Sequence, residues 1–413
     1  MKLMITRLLP IARHMLLALP VGVTAGCAAA LFLSGLALVT DTRETQPWLL
    51  WLLPAGGACM SWLYMRWGRT AAQGNPLIFS RIRSGEGTVP LRMGPLVLVG
   101  TWVTHLFGGS AGREGTAVQL GASAAEAVSR VMRIQPQQRS LLLLCGVSGG
   151  FGAVFGTPLA GAIFALEVSQ LRRPSLERLL PALTASYVGH WTAMAWGTEH
   201  GHLTMGTLPS IGMAVLAKLA LAAVLFGLVA RLFTSLLYHT RTVFSRWIPH
   251  PVHRSIIGGF LLIGFVFLAD SRAYLGLSLP LLNEAFEAPA GEMQFAWKLL
   301  FTVVTLGSGY QGGEVTPLFV IGATLGSTLS GWLSTPTAWL AAVGMVAVFA
   351  GAARAPLACF VMGLELFGVE GALYLFIGCM ISRLCAGGRG LYHSAASQRP
   401  GQPGKSAGRL RIK

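Results

Sequence analysis

Apolar segments near 14–40, 48–66, 90–108, 140–168, 180–196, 211–238, 255–269, 296–306, 318–332, 336–352 and 356–386 follow one another along almost the whole chain, and nothing else constrains its fold as strongly. Several are broken by glycine or proline, and some are too short to cross a bilayer core, which takes about 20 helical residues. Only 11% of the 413 residues are charged and 53% are hydrophobic. A soluble fold of this length needs a charged surface, whereas a chain whose outer surface meets lipid does not. Composition therefore excludes a soluble enzyme and implies an all-α integral membrane protein in a lipid bilayer.

The remaining charge is lopsided: 31 Lys and Arg against 15 Asp and Glu give +16. In a soluble protein that excess points to nucleic acid. Here Arg66 and Arg69, Arg81 and Arg83, Arg130 and Arg133, Arg172 and Arg173, and Arg241 and Arg246 stand between apolar runs, the pattern of a positive-inside bias, so no nucleic-acid partner is expected. Lys2, Arg7 and Arg13 precede a first run that passes the lipoprotein-like Thr24-Ala25-Gly26-Cys27 and continues to Val39. A retained first helix with a cytoplasmic amino terminus is predicted, in a multi-pass membrane protein. The six cysteines form no CxxC pair, and His14, His105, His190, His200 and His202 have no partner at metal spacing, so neither a metal nor a cofactor is expected. Trp48, Trp51, Trp62 and Trp67 suit an interfacial belt.

The chain repeats itself. Gly112-Arg113-Glu114-Gly115-Thr116 reappears as Gly312-Gly313-Glu314-Val315-Thr316, each followed by an apolar stretch into Gly121-Ala122 or Gly322-Ala323. Thr157-Pro158-Leu159-Ala160, running to Leu166-Glu167, pairs with Ala355-Pro356-Leu357-Ala358, running to Leu364-Glu365. Two matches in one order at nearly one offset indicate an internal duplication. With short, interrupted segments in both halves, this is the pattern of a transporter with inverted repeats and a site near the midplane. The boundaries predicted are 1–210 for the first half, 211–396 for the second and 397–413 for a short basic cytoplasmic tail.

Glu114, Glu167, Glu314 and Glu365 stand in glycine-rich or apolar surroundings, as two repeat-related pairs. Ionisable groups at membrane depth are costly, so each is a candidate for function. Glu167 and Glu365 close their PLA helices, where a carboxylate can anchor a helix end. Glu114 follows Gly108-Gly109-Ser110-Ala111-Gly112 and opens a helical run, so it sits where free N–H groups and the helix dipole favour an anion. A mobile carboxylate there competes with a transported anion, and protonation releases it. Gly312 to Pro317 supplies a second helix start, containing Val315 and Thr316, and Gly74-Asn75-Pro76 a third, with the Asn75 amide as a donor. Arg113 is expected to hold the loop by bonding carbonyls.

These residues resemble the CLC chloride channels and proton-coupled antiporters across almost the whole chain. Gly112-Arg113-Glu114-Gly115 is similar to that family's GREGP motif with its outer gating glutamate, Pro158 to Glu167 to its PLAG helix, and Arg354-Ala355-Pro356-Leu357 to its RAPL segment. Gly387-Gly388-Arg389-Gly390-Leu391-Tyr392 resembles the stretch that holds the family's central tyrosine, whose hydroxyl touches the anion. The resemblance implies an inverted-topology repeat of tilted and broken helices, a homodimer with one pathway per subunit and both termini cytoplasmic.

Three departures bear on the ion. Gly74-Asn75-Pro76 stands where chloride-type members have GSGIP, Thr116 replaces the proline after GREG, and Gly313-Glu314-Val315-Thr316-Pro317 replaces GGIFAP. Together they resemble the family's bacterial fluoride/proton antiporter clade. Val168 stands where chloride-type exchangers often carry an inner glutamate, and Glu314 is the candidate substitute for proton transfer and selectivity. Fluoride holds its water tightly, so its site must offer close donors, and Asn75, Thr116, Thr316, the Tyr392 hydroxyl and the amides of Gly112, Arg113, Gly115 and Val315 are the candidates. The expected function is export of fluoride in exchange for protons. A chloride/proton antiporter and a passive chloride channel of the same fold are the alternatives; no hydrolase motif is present.

Overall fold

The computed structural model describes residues 2–171, 175–201, 203–388 and 390–392, apart from the side chains of 2–8. Arg172, Arg173, His202, Arg389 and the tail 397–413 lie outside the described residues. In chain order the α-helices are α1 (Lys2–Thr45), α2 (Leu53–Leu63), α3 (Asn75–Ser84), α4 (Met93–Leu106), α5 (Glu114–Val131), α6 (Pro136–Phe155), α7 (Pro158–Val168) and α8 (Leu176–Ala195). There follow α9 (Met213–Trp247), α10 (Pro251–Ala269), α11 (Leu279–Glu287), α12 (Gln294–Gly307), α13 (Val315–Leu333), α14 (Thr337–Ala353), α15 (Pro356–Phe367) and α16 (Ala372–Cys385). Among the described residues the one β-bridge joins Gly112 to Gly313.

Five stretches are long and apolar enough to cross a membrane: Leu9–Thr45, Pro47–Ser84, Pro136–Phe155, Met213–Trp247 and Pro251–Ala269. The first confirms an uninterrupted helix through Cys27. Other helices stop short. α2, α3, α7 and α15 have 10 to 12 residues, and each carries proline in its first two positions, where the missing N–H costs nothing and the ring prevents extension backwards.

Lipid provides no hydrophobic drive for helix association, so close packing has to supply it, and small residues mark the contacts. A Cβ on Gly121 of α5 would fall on the Gly146 carbonyl of α6, and one on Gly146 on the Gly121 carbonyl. The same mutual contact joins Gly322 of α13 to Gly344 of α14. α1 meets α8 likewise, with Gly22 against Ala185 and Gly26 against Gly189. Thus the glycines following both copies of the duplicated loop let two helix pairs approach backbone to backbone.

α7 and α15 pack together and exchange caps. Glu365, near the end of α15, accepts hydrogen bonds from the first-turn amides of α7, Leu159 N at 2.8 Å and Ala160 N at 2.7 Å. Glu167, near the end of α7, accepts from Leu357 N at 3.3 Å and Ala358 N at 2.8 Å in α15. The helix-anchoring expected of these carboxylates is therefore reciprocal, each serving the other's helix. Glu365→Ala is expected to destabilise the protein by about 1–2 kcal/mol, the scale of charge-assisted bonds at a helix start. Thermal unfolding in detergent should give a lower Tm, with Glu365→Gln intermediate; an unchanged Tm for both would contradict it.

Candidate anion site

Three helix starts meet. Gly74, with φ +57° and ψ −139°, adopts a backbone that suits glycine, and turns the chain so that α3 begins at Asn75. α5 begins at Glu114 after the glycine-rich loop 108–113, and α13 begins at Val315 after 308–314. Gly112 N donates to Gly313 O at 2.7 Å, and Gly313 N to Gly112 O at 2.7 Å, so the two loops are stitched tip to tip. Neither glycine tolerates a side chain: a Cβ on Gly313 would lie 2.6 Å from Gly115 N, and one on Gly112 would lie 2.6 Å from Glu114 Oε2. Asn75 completes the cluster, its Nδ2 lying 3.3 Å from where a Gly115 Cβ would be.

Glu114 is 1% exposed and turned into this junction. Its Oε2 accepts from Arg113 N at 3.0 Å and from Thr316 N at 3.0 Å, and its Oε1 accepts from the Thr316 hydroxyl. The carboxylate thus uses donors from both loops, including the first-turn amide of α13. Thr116 does not reach it; its hydroxyl pairs with that of Thr101 in α4, 2.6 Å away. Val315 is fully buried in the same turn.

The remaining candidates are placed less directly. Arg113 departs from the sequence-based expectation: its Nε is buried without a hydrogen-bond partner and lies 3.8 Å from Glu114 Oε1, and among the described residues no loop carbonyl receives its guanidinium. Glu314 makes no hydrogen bond to Glu114 among the described residues and instead meets Arg241 of α9, Nη2 to Oε1 at 3.4 Å. Tyr392 is buried with its ring against Phe79 of α3, at 5.4 Å between centroids, and Phe164 of α7, at 5.9 Å. Aromatic contacts continue from Phe164 through Phe349 and Phe319 to Phe155.

A cavity of about 600 Å³ reaches this cluster, lined by Arg113, Thr316, Phe155, Phe319 and Glu199 among others. A second, of about 500 Å³, shares Arg113, Glu199 and Leu279 with it and extends along α1 to Thr40, Asp41 and Glu44. Arg113 therefore stands between two hollows, beside the carboxylate. Sequence reasoning missed Thr101, Gln119, which lies under Gly74, and Glu126. Glu126 is a fifth carboxylate in the interior, bonded to Arg130 Nε at 2.8 Å. The spacing of Glu126 and Arg130, four residues on one helix, was its available signal.

The family model for voltage-gated chloride channels matches residues 56–387. A chloride/fluoride channel protein of Pseudomonas syringae pv. tomato is 42% identical over 394 residues, covering 94% of this chain and 87% of the relative. The chain belongs to the CLC family. This CLC protein is an anion-transporting membrane protein and not an enzyme. The H(+)/Cl(-) exchange transporter ClcA of Yersinia pestis is 27% identical, with 73% of this chain and 67% of that protein covered. Among solved structures, one described as a CLC-type fluoride/proton antiporter superposes with a TM-score of 0.87 at 36% identity, over 90% of this chain and 95% of the other. A slow cyanobacterial Cl-/H+ antiporter, at 22% identity and a TM-score of 0.78 over 91% and 94%, shares the fold.

Proposed function

We propose that this CLC protein exports fluoride from the cytoplasm in exchange for protons, with Glu114 as outer gate and proton carrier. The observation that carries this is the Glu114 carboxylate lodged among Arg113 N, Thr316 N and the Thr316 hydroxyl, a donor set equally suited to a small anion. Side chain and anion compete for those donors, and a protonated glutamate, having lost its charge, gives way. Asn75, Thr316 and the first-turn amides of Gly115 and Val315 are the further donors in this reading, with Thr116 and Tyr392 as outer candidates, while the Gly112 amide is already committed to Gly313 O. The 36% identical fluoride/proton antiporter and the relative named a chloride/fluoride channel support fluoride as the ion. The physiology is consistent: neutral HF enters by diffusion, ionises in a near-neutral cytoplasm and is trapped there. Two inverted halves, 1–210 and 211–396, form each subunit of a homodimer in the bacterial inner membrane, with both termini cytoplasmic and one pathway per subunit.

Glu314 and Asn75 set the ion preference in this reading. Proteoliposomes loaded with fluoride or chloride, with external pH recorded, test ion and coupling together. Wild-type protein should release fluoride faster than chloride with protons moving the opposite way. Glu314→Ala combined with Asn75→Ser should lower the fluoride-to-chloride flux ratio about ten-fold, the scale of one lost charge-assisted contact. An unchanged ratio removes the case for fluoride, and anion flux without proton movement identifies a channel.

A further inference from the structure

Lys298 is a buried cation with no role in the exchange as proposed so far. It lies on α12 and has no exposed surface. Its Nζ donates to Ser278 Oγ at 2.8 Å, Ser110 Oγ at 2.9 Å and Gly276 O at 2.9 Å, with Tyr274 O at 3.2 Å. Among the described residues no carboxylate lies within ion-pair reach of it. The neighbouring charge has the same sign: the Arg43 guanidinium packs against Gly276, one of the residues that Nζ bonds. An ammonium without a counter-ion at membrane depth is strongly unfavourable, so its position points to a task.

Its four acceptors show what it joins. Ser110 belongs to the loop that ends at Glu114, and α12 grips that residue twice more, through Thr305 Oγ1 to Ser110 N at 3.1 Å and Thr302 Oγ1 to Ser110 Oγ at 3.0 Å. Tyr274, Gly276 and Ser278 form the segment leading into α11, whose Leu279 and Leu282 wall the 600 Å³ cavity. Lys298 therefore links the loop that seats the gate to the segment that shapes its access. The corresponding loop of the second half is held differently, by the Tyr310 hydroxyl bonded to Leu53 O and Ser255 O, both at 2.9 Å.

We propose that Lys298 is a positioning residue of the transport cycle, whose ammonium pins the Ser110 loop to the 274–278 segment and so keeps Glu114 in register with Thr316. The inference rests on Glu114 being the proton-coupled gate. With a loosened loop, anion slips past without a proton.

Wild type, Lys298→Met, Ser110→Ala, Glu114→Gln and the double variant Lys298→Met/Glu114→Gln are reconstituted, and fluoride efflux and proton uptake are recorded in the same vesicles. Lys298→Met should raise the ratio of anion to proton flux about ten-fold, the scale of one hydrogen bond to a charged group. Ser110→Ala, which removes one acceptor and leaves the ammonium three, should shift the ratio the same way by less. In the Glu114→Gln background Lys298→Met should leave anion flux unchanged, because the loop no longer positions a titrating gate. An unchanged ratio in both single variants overturns the proposal, and so does anion flux in the double variant below that of Glu114→Gln alone, which is the mark of general damage. If Lys298→Met does not fold, Ser110→Ala decides alone. Wild-type vesicles that release fluoride without taking up protons instead overturn the antiport reading on which this one stands.

Discussion

Reconstituted Glu114→Gln protein is expected to lose anion-driven proton movement completely, down to the leak of protein-free vesicles. The change is nearly isosteric, so the neighbourhood of Gly112, Gly313 and Thr316 is preserved. What disappears is titration. The amide also fits the donors less well: a carboxylate accepts from Arg113 N, Thr316 N and the Thr316 hydroxyl at once, whereas an amide offers one acceptor oxygen and presents its NH2 to the remaining donors. Each charge-assisted bond that becomes neutral loses about 1 kcal/mol, so anion faces a weaker competitor and passes more freely. Flux measured with a fluoride electrode beside a pH electrode separates the effects. Stoichiometric proton pumping by this variant would exclude Glu114 as the carrier.

A side chain at Gly121 or Gly322 is expected to do still more damage, to folding rather than to coupling. The Cβ of any residue at Gly121 lands on the Gly146 carbonyl, and at Gly322 on the Gly344 carbonyl, in each case backbone that has no rotamer to yield. Overpacking of this kind costs about 1–3 kcal/mol for one methyl, and Val adds two more carbons at the same contact. Gly121→Val and Gly322→Val should abolish monodisperse protein in detergent, and the Ala variants should lower Tm. Gly264→Ala, in α10 with open space at its Cβ, is the control and should be neutral. Well-folded Gly121→Val protein would mean that α5 and α6 do not approach as described.

The fold class was legible because lipid leaves its mark on every segment: few charges, long runs, and proline at the starts of short helices. The helix starts at Asn75, Glu114 and Val315 were likewise readable, since glycine and proline announce them locally. Less legible was anything that depends on what a side chain meets across the molecule. Glu167 and Glu365 showed as anchors, but the sequence could not say that each serves the other's helix, because that requires α7 and α15 to lie side by side. Arg113 was expected to bond carbonyls and faces Glu114 instead, a matter of one side chain's direction at a loop. Glu314, the repeat partner of Glu114, pairs with Arg241, which no spacing relates to it. Lys298 gave almost no signal: one lysine in an apolar run has the look of a helix end until the Ser110 loop closes over it.

Carriers with repeated halves commonly work by rocking one half against the other around a fixed substrate. The paired amides of Gly112 and Gly313 leave little room for that here, since any large swing must break a reciprocal pair of short backbone hydrogen bonds at membrane depth, where unpaired amides are costly. The crossed grip of Glu167 and Glu365 resists the same motion at a second place. On the proposed reading the molecule is a turnstile in a rigid frame: the moving piece is the Glu114 side chain, and a fault in its mounting would turn an exchanger into an open gap.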